Sequence, residues 1–416
     1  MTRVVADVAL SLDGYVAGPN DSPEKPLGDD GERLHQRAFD LATWRERQGL
    51  GGGERNRDSE IVRETFEDVG AVVVGRRVFS NDDGPWCDPP LDGHWGDDPP
   101  FRAPVFVLTY HSREPLVTGG GTTFAFVTDG IERALGHTTD AAGDEDVSVA
   151  GSAQTIQQFV DAGLLDELEI HLVPVLLGDG IRLFDALGTS STRDNEGRRF
   201  TDRHAPPIRH DPDVDGPTRP MTATDPATER TLFAFENTSL NGFFEGPNRD
   251  ISWHNVDDEF NEFAAEQLDE IDCLLFGRVT YELMASYWPT ATEDDPRIAE
   301  RMNELPKVVV STTLSTADWN NTTLISDNVP DEITKLKQQA DGDLAIFGSS
   351  ELTASLLADR LVDEFRVMVN PVVLGDGTPL FAGLPDEVEL ELLSTRTFAS
   401  DNVLLTYRPD YGDRSQ

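Results

Sequence analysis

The sequence predicts an α/β protein made of two tandem copies of one domain, each a mostly parallel sheet with helices on both faces. Two observations predict this fold. Four short sequence blocks occur twice, in the same order, in the two halves of the chain. Within each half, short apolar runs alternate with amphipathic helical segments, a pattern typical of strands that helices cover on both faces.

The repeat defines the domain organisation. In its last block two glycines lie 27 positions apart in both copies. We expect a first copy at residues 1–188, a polar linker at 189–229, a second copy at 230–409 and a tail at 410–416. The corresponding blocks are 11–20 with 239–248, 72–79 with 274–281, 104–109 with 306–311, and 151–180 with 348–377.

The predicted elements follow the same order in both copies. An opening strand precedes a buried strand that ends at glycine, two further strands, a helix that follows Gly-Ser, and another strand. The first-copy strands are predicted at 4–10, 71–75, 105–108, 147–150 and 167–173, with a helix at 153–162. The second-copy strands are predicted at 232–236, 273–277, 308–310, 344–347 and 364–370, with helices at 257–267 and 352–361.

Two features distinguish the copies. The second copy ends in two apolar segments, 389–393 and 402–407, which predict an antiparallel closing hairpin. The first copy has no convincing counterpart, because residues 189–229 are rich in proline and poor in apolar residues. The first copy also carries an extra charged segment that includes residues 51–58, predicted as a flexible loop. Such a loop is either a functional lid or a tolerated insertion.

The composition excludes several classes of function. The formal net charge is -43, from 77 acidic and 34 basic residues, and the acids are spread through the apolar segments. This indicates a folded protein with an acidic surface, as in salt-adapted cytoplasm, and no basic stripe for nucleic acid. Cys87 and Cys273 lie in different halves, which fits a reducing compartment. No secretory or membrane-spanning segment is present, so we expect a cytoplasmic protein.

Two strand–turn–helix junctions in each copy are candidate anion sites. The first junction carries Gly75-Arg76 or Gly277-Arg278, and Thr280 adds a hydroxyl where the first copy has Val78. Glycine lets a phosphate approach the backbone, the helix start offers N–H groups, and arginine adds a bidentate donor. A plain turn with an exposed arginine is the alternative.

The second junction begins with Gly151-Ser152 or Gly348-Ser349-Ser350. Two such helix starts on one sheet can hold a pyrophosphate between them. Thr109 and Ser311 follow a neighbouring strand, where a hydroxyl can bind a ribose 2′-phosphate; an ordinary polar loop is equally compatible. The Leu-Gly-Asp-Gly segments at 177–180 and 374–377 are interpreted as structural turns.

Few residues suggest acid–base or metal chemistry. Asp13 follows the opening strand and Asn241 replaces it in the second copy. Each is either a ligand-facing hydrogen-bonding group or a turn-forming residue. His171 is interpreted as a core or interface residue. No residues have the spacing of a metal-binding or nucleophile motif, so no metal site is predicted.

Together these motifs resemble the dihydrofolate-reductase-like superfamily. They are most similar to the C-terminal reductase domain of the bifunctional riboflavin-synthesis deaminase-reductase, over about residues 1–188 and 230–409. The resemblance implies three-layer α/β/α domains, NADPH between the two helix starts, and hydride transfer to a pteridine- or pyrimidine-like ring. It places Asp13 and Asn241 near substrate and nicotinamide. It implies cofactor contacts for Gly75, Arg76, Thr109, Gly151, Ser152, Gly277, Arg278, Thr280, Ser311, Gly348, Ser349 and Ser350.

Three hypotheses follow. The first is an NADPH-dependent reductase of a small heterocycle. The second is a non-catalytic nucleotide- or ligand-binding protein that retains the reductase fold. The third is one active copy beside one structural copy, with the two packed as an intramolecular pseudo-dimer.

Overall fold

The computed structural model describes residues 2–22, 24–80, 82, 84–87, 93, 95–184, 230–291, 296–339, 342–381, 384 and 388–412. The chain divides into two compact units, Met1–Val173 with Asp179–His210 and Pro174–Gly178 with Asp211–Gln416. The predicted linker at 189–229 lies outside the described residues, as do the positions at which a first-copy closing hairpin was sought. Both units have the three-layer α/β/α architecture that the sequence predicts.

The first unit contains a seven-stranded sheet in the order β5-β6-β4-β3-β7-β1-β8. Its neighbouring strands are parallel except for β5 with β6. Its elements are β1 (Val4–Ser11), β2 (Tyr15–Ala17), α1 (Arg33–Asp40), α2 (Ala42–Arg47), α3 (Arg57–Glu67), β3 (Val69–Gly75), α4 (Arg76–Ser80), β4 (Val105–Leu108), β5 (Leu116–Val117), β6 (Thr123–Val127), α5 (Ile131–Ala142), β7 (Asp146–Ala150), α6 (Ala153–Asp161), β8 (Glu167–Val173) and β9 (Ile181–Arg182).

The second unit contains an eight-stranded sheet in the order β14-β13-β12-β15-β10-β16-β19-β18. The predicted closing hairpin is confirmed, since β19 pairs antiparallel with both β16 and β18. Its elements are β10 (Leu232–Ser239), β11 (Phe243–Glu245), α7 (Asp258–Glu270), β12 (Ile271–Gly277), α8 (Arg278–Tyr287), α9 (Pro296–Glu304), β13 (Lys307–Val310), β14 (Thr322–Ile325), α10 (Val329–Lys337), β15 (Asp343–Phe347), α11 (Ser350–Ala358), β16 (Glu364–Asn370), β17 (Thr378–Pro379), β18 (Glu389–Thr397) and β19 (Val403–Asp410).

The central strands are covered on both faces, which explains their continuous apolar sequences. Val73 of β3, Phe233 of β10, Leu274 of β12 and Ile346 of β15 are all fully buried. Because neighbouring strands are parallel, the loops that follow them gather at one edge of each sheet. No helix in the described part of the chain has both the length and the apolar content to cross a bilayer.

The extra segment of the first copy is more regular than the sequence predicts. It contains helices α1 and α2, and Arg57 and Asp58 of the predicted flexible loop begin helix α3. The Asn56 side chain caps α3 by accepting from Ser59 N–H at 3.0 Å. Residues 48–56, which include the glycine run at 51–53, connect α2 to α3 and belong to neither helix. The helix was missed because its sequence is largely charged, and charged residues face solvent without marking an apolar stripe.

Lys307 at the start of β13 is an unusual core residue, since it is 1% exposed. Its ammonium donates to the carbonyl oxygens of Leu305 at 2.7 Å, Asn303 at 3.1 Å and Asn320 at 3.2 Å. It also lies 4.5 Å from the centroid of the Trp319 ring. Burial lowers the pKa of this ammonium to about 8. The lysine therefore joins the end of α9 and the residues after it to the loop that precedes β14.

Replacing Lys307 with alanine is expected to lower the free energy of unfolding by roughly 3 kcal/mol, because three carbonyls lose their donor and a cavity is left. Urea denaturation followed by circular dichroism measures this change. The matched control is Lys335→Ala, because the Lys335 side chain is 64% exposed and its ion pair contributes little. Equal stabilities of the two variants would contradict the structural role assigned to Lys307.

Candidate functional site

The predicted anion-binding loops lie together in both copies. In the first copy they follow β4, β3 and β7, which are adjacent parallel strands with Gly75 paired to Leu108 and Val74 to Ala150. In the second copy they follow β13, β12 and β15 in the same arrangement. Each sheet therefore brings three candidate loops to its carboxyl edge.

The two helix starts of the second copy are joined directly. Gly277 is the N-cap of α8 and Ser349 is the N-cap of α11. The Gly277 N–H donates to Ser349 Oγ at 3.0 Å. Gly277 has no side chain to cap α8, and among the described residues the Ser349 side chain makes no capping hydrogen bond to the first turn of α11. Two sets of backbone donors are thus held side by side.

The arginine of the second copy is accessible. The Arg278 side chain is 40% exposed, and its guanidinium pairs with Glu282, one turn along α8, at 2.8 Å. Thr280 packs against the Gly348-Ser349 turn that precedes α11. Its hydroxyl lies 3.7 Å from the position that a Cβ on Gly348 would occupy. The arginine, the hydroxyl and both helix starts consequently share one part of the site.

The corresponding arginine of the first copy, Arg76, is buried. Arg76 is 7% exposed, and its guanidinium lies 3.3 Å from the centroid of the Trp86 ring. It also donates to Ser80 Oγ, and Asp82 lies 3.9 Å away. Helix α4 has five residues, whereas α8 has ten. Arg76 is therefore committed to local packing in this structure.

Side chains also fill the space around the first-copy glycines. Val78 packs against the Gly151 turn, at the place that Thr280 occupies in the second copy. The Ser152 and Thr155 hydroxyls lie 3.1 Å apart and hydrogen-bond to each other. A Cβ on Gly75 would lie 2.6 Å from Thr155 Oγ1, whereas a Cβ on Gly277 would meet its nearest atom at 3.7 Å. The second copy is the more open of the two.

Thr109 and Ser311 are both buried and shape their own loops. Ser311 Oγ accepts from Thr313 N–H at 3.1 Å and Leu314 N–H at 3.0 Å. Thr109 Oγ1 accepts from His111 N–H at 3.2 Å. These contacts support the polar-loop interpretation, in which the two hydroxyl groups hydrogen-bond to the backbone of their own loops instead of binding a ligand.

Asn241 joins two turns of the second copy. Its Nδ2 donates to Leu374 O at 2.8 Å, and its Oδ1 accepts from Leu374 N–H at 3.0 Å and from Ser239 Oγ at 2.9 Å. The amide therefore orders the Leu-Gly-Asp-Gly segment. In the first copy Asp13 is 1% exposed. It lies near Tyr15, whose hydroxyl accepts from Arg182 at 3.1 Å.

An asparagine network in the second copy escaped the sequence analysis. Asn370 Oδ1 accepts from Asn255 N–H at 2.8 Å, and Asn402 Nδ2 donates to Asn255 O at 2.7 Å. Asn402 is fully buried, and its Oδ1 has no hydrogen-bond partner among the described residues. Buried polar atoms are normally paired with protein, water or ligand. Asn370 ends β16, Asn402 immediately precedes β19 and Asn255 lies in the loop before α7, and sequence patterns assign such positions to turns.

The RibD C-terminal domain family matches the chain twice, over residues 2–205 and 230–404. The chain belongs to this family. Its two matches confirm the predicted resemblance in both copies, and the family supports a reductase-type function. The chain is 32% identical over 188 residues to the uncharacterized protein YyaP of Bacillus subtilis (strain 168), covering 44% of this chain and 97% of that one.

Two solved structures are also similar to parts of the chain. One is the diaminohydroxyphosphoribosylaminopyrimidine deaminase/5-amino-6-(5-phosphoribosylamino)uracil reductase of Thermotoga maritima, at 14% identity and a TM-score of 0.33, covering 44% of this chain and 57% of that one. The other is the dihydrofolate reductase of Enterococcus faecalis complexed with NADP(H), at 16% identity and a TM-score of 0.32, covering 44% of this chain and 98% of that one.

Proposed function

We propose that the chain is an NADPH-dependent reductase of a small pteridine- or pyrimidine-like heterocycle, and that its second copy binds NADPH. The observation that carries this proposal is the hydrogen bond from Gly277 N–H to Ser349 Oγ, which holds the starts of α8 and α11 together. Paired helix N-termini suit a pyrophosphate, because their first-turn N–H groups and helix dipoles favour negative charge.

The surrounding residues fit the phosphates of such a cofactor. Gly277 leaves the backbone uncovered, and Arg278 is exposed enough to reach a ligand. Its pair with Glu282 is exposed, and exchanging a surface ion pair for a phosphate costs little. Thr280 and Ser350 place hydroxyl groups in the first turns of the two helices. These groups would fix the cofactor through its phosphates.

The bound nicotinamide supplies the hydride, and the chain supplies placement and a polar site for the acceptor. Asn241 holds the loop after β10 against Leu374. Asn255, Asn370 and Asn402 form a polar network near the end of β16 and the start of β19. Asn402 Oδ1, which has no hydrogen-bond partner among the described residues, offers an acceptor for an N–H group of a pyrimidine or pterin ring.

The contacts in the first copy support a structural role for that copy. Its arginine is engaged with Trp86 and Ser80, and Val78 replaces the hydroxyl of Thr280. Opening this site would require breaking a buried cation–π contact, which is worth about 2 kcal/mol when desolvated. These contacts favour the hypothesis of one cofactor-binding copy beside one structural copy.

Fluorescence titration of the full chain with NADPH tests this proposal. We expect one equivalent to bind, and Arg278→Ala to weaken the affinity about tenfold, because one charge-assisted contact is lost. Arg76→Ala is the matched variant; it is expected to reduce stability while leaving the affinity unchanged. Failure of the full chain to bind NADPH would falsify the proposal, and a larger effect of Arg76→Ala would assign the cofactor to the first copy.

A second function is a nucleotide-binding protein without turnover. One observation favours it: both polar atoms of Asn241 are engaged with backbone, and the position lacks the acid that Asp13 provides in the first copy. The two functions differ in NADPH oxidation, measured by absorbance with a panel of pterins and pyrimidines. Oxidation with any member supports the reductase, whereas tight binding without oxidation supports the alternative.

A further inference from the structure

A polar cluster lies on the sheet of the first copy, away from the loops described above. Asp7 on β1 pairs in register with Glu169 on β8, and His171 lies two residues further along β8 on the same face. His171 Nε2 and Asp7 Oδ2 are 2.7 Å apart. One ligand atom from each of the three side chains lies within 4.8 Å of the other two.

The same sheet positions of the second copy carry different chemistry. The aligned residues there are Phe235, Arg366 and Met368, with the same register between β10 and β16. Phe235 packs against the rings of Phe263 and Phe347, with centroids 5.8 and 5.7 Å away. The fold therefore accepts phenylalanine and methionine at the positions that Asp7 and His171 occupy in the first copy. Two carboxylates and an imidazole are a departure that packing does not require.

The cluster lies beneath the extra segment that only the first copy has. Helix α1 of that segment packs on β1, and its His35 is close enough to Asp7 to interact electrostatically. Burial lowers the pKa of His35, so its imidazole is neutral at pH 7. The hydrogen bond to Asp7 raises the pKa of His171, and the charges of Asp7, Glu169 and Asp58 act in the same direction. The charged groups that face the cluster are thus predominantly acidic.

We propose that Asp7, Glu169 and His171 bind one divalent transition-metal cation. One nitrogen and two oxygen donors are a common ligand set for zinc and its neighbours. Bonds of about 2.0–2.2 Å place tetrahedral ligand atoms about 3.3–3.6 Å apart. The three ligand atoms reach this geometry if the distance between His171 Nε2 and Asp7 Oδ2 increases slightly from 2.7 Å. The distances from these atoms to the Glu169 carboxylate, which are at most 4.8 Å, would have to shorten by roughly 1 Å. The cation's two charges balance those of the two carboxylates.

The sequence does not show this site because its members are distant in the chain. Asp7 and His171 are 164 positions apart, and Glu169 and His171 alone match no metal-binding spacing. Only the parallel register of β1 with β8 brings them together. The proposal concerns a face of the first copy and does not depend on cofactor binding by the second.

Titration of the metal-free full chain with cobalt(II) and zinc(II), repeated at increasing pH from about pH 7 because Asp7 raises the pKa of His171 above its ordinary value, tests the site. We expect one cobalt(II) per chain with visible d–d absorption, displaced by zinc(II) in competition with a chromophoric chelator. His171→Met, which introduces the second-copy residue, is expected to weaken zinc affinity at least tenfold, and Asp7→Asn to do the same. His171→Gln keeps a donor for Asp7 and serves if the methionine variant does not fold.

The matched control is His137→Gln, because His137 stacks on Phe106 elsewhere in the first copy. It is expected to bind zinc as the unaltered chain does. Two results would overturn the proposal: cobalt(II) that shows only the weak d–d bands of the hydrated ion, or equal zinc affinities of the His171 variants and the control. Either would leave Asp7 and His171 as an ion pair only, with metal held by the general acidity of the surface.

Discussion

Glu236→Gln is expected to stabilise the protein by roughly 3 kcal/mol at pH 7. Glu236 lies on β10 and is fully buried; its Oε1 accepts from Thr353 Oγ1 at 2.7 Å. Its Oε2 has no hydrogen-bond partner among the described residues. Burial raises the pKa of this carboxyl to about 8, against an ordinary value of 4.5. The side chain is therefore protonated in the folded protein at neutral pH.

The sign of the effect follows from this shift. Below about pH 4.5 the carboxyl is protonated in both the folded and the unfolded chain, and its ionisation does not affect stability. Between pH 4.5 and 8 only the unfolded chain ionises, so stability falls as pH rises, by about 1.4 kcal/mol per unit. Glutamine does not ionise and retains an acceptor for Thr353. Its advantage should be near zero at pH 4, grow through pH 7 and level off above pH 8.

Urea denaturation of both proteins across this pH range measures the difference between them, in which the titration of the other acidic residues cancels. Glu266→Gln on the exposed face of α7 is the control and should show a flat difference. The first copy carries Val8 and Ile156 at the positions aligned with Glu236 and Thr353, so the fold accepts uncharged side chains there. Parallel profiles for the wild type and Glu236→Gln would show that the carboxyl ionises normally.

Gly277→Ala is expected to raise the dissociation constant for NADPH at least 30-fold, about 2 kcal/mol. The added Cβ would lie 3.7 Å from Ser349 Cβ and 3.8 Å from Leu352 Cβ, which are ordinary contacts. Gly277 has a φ of -73°, which alanine adopts without strain. The methyl group would instead occupy the space through which a phosphate approaches the backbone between α8 and α11.

Two glycine variants make this prediction specific. Gly75→Ala places its Cβ 2.6 Å from Thr155 Oγ1, so it should destabilise the first copy without changing NADPH affinity. Gly136→Ala lies in open space on α5; it should leave the affinity unchanged and stabilise the first copy by up to about 1 kcal/mol. Stability is followed by thermal unfolding, where Gly277→Ala should lose no more than about 1 kcal/mol as an N-cap change. Unchanged NADPH affinity in Gly277→Ala would remove the second copy as the cofactor site.

The sequence predicted those parts of the fold that have strong local patterns. The glycine-terminated strands at 71–75 and 273–277 were evident because they are buried on both faces and contain only apolar residues before the glycine. Strands β6 and β14 and helices α5 and α10 were missed. β14 has only four residues, two of them threonines, and its stability comes from pairing with β13 rather than from propensity. In α10, charged residues such as Lys335 separate the few apolar ones.

The difference between the two candidate sites could not be predicted from spacing. Gly75-Arg76 and Gly277-Arg278 are equivalent in sequence, yet one guanidinium stacks on Trp86 and the other is exposed. That outcome depends on the path of the loop that brings Trp86 back to α4, and no short pattern encodes such a path. The hydrogen bond between Gly277 and Ser349 likewise joins residues 72 positions apart.

The burial of Lys307 has a practical consequence for chemical labelling. The chain has four lysines, and Lys307 and Lys337 are both buried. The remaining two are well exposed, Lys25 at 57% and Lys335 at 64% of their side chains. Amine-reactive reagents therefore have one accessible side-chain target in each copy. Bifunctional cross-linkers of graded length, with the products identified by mass spectrometry, would therefore measure the distance between Lys25 and Lys335.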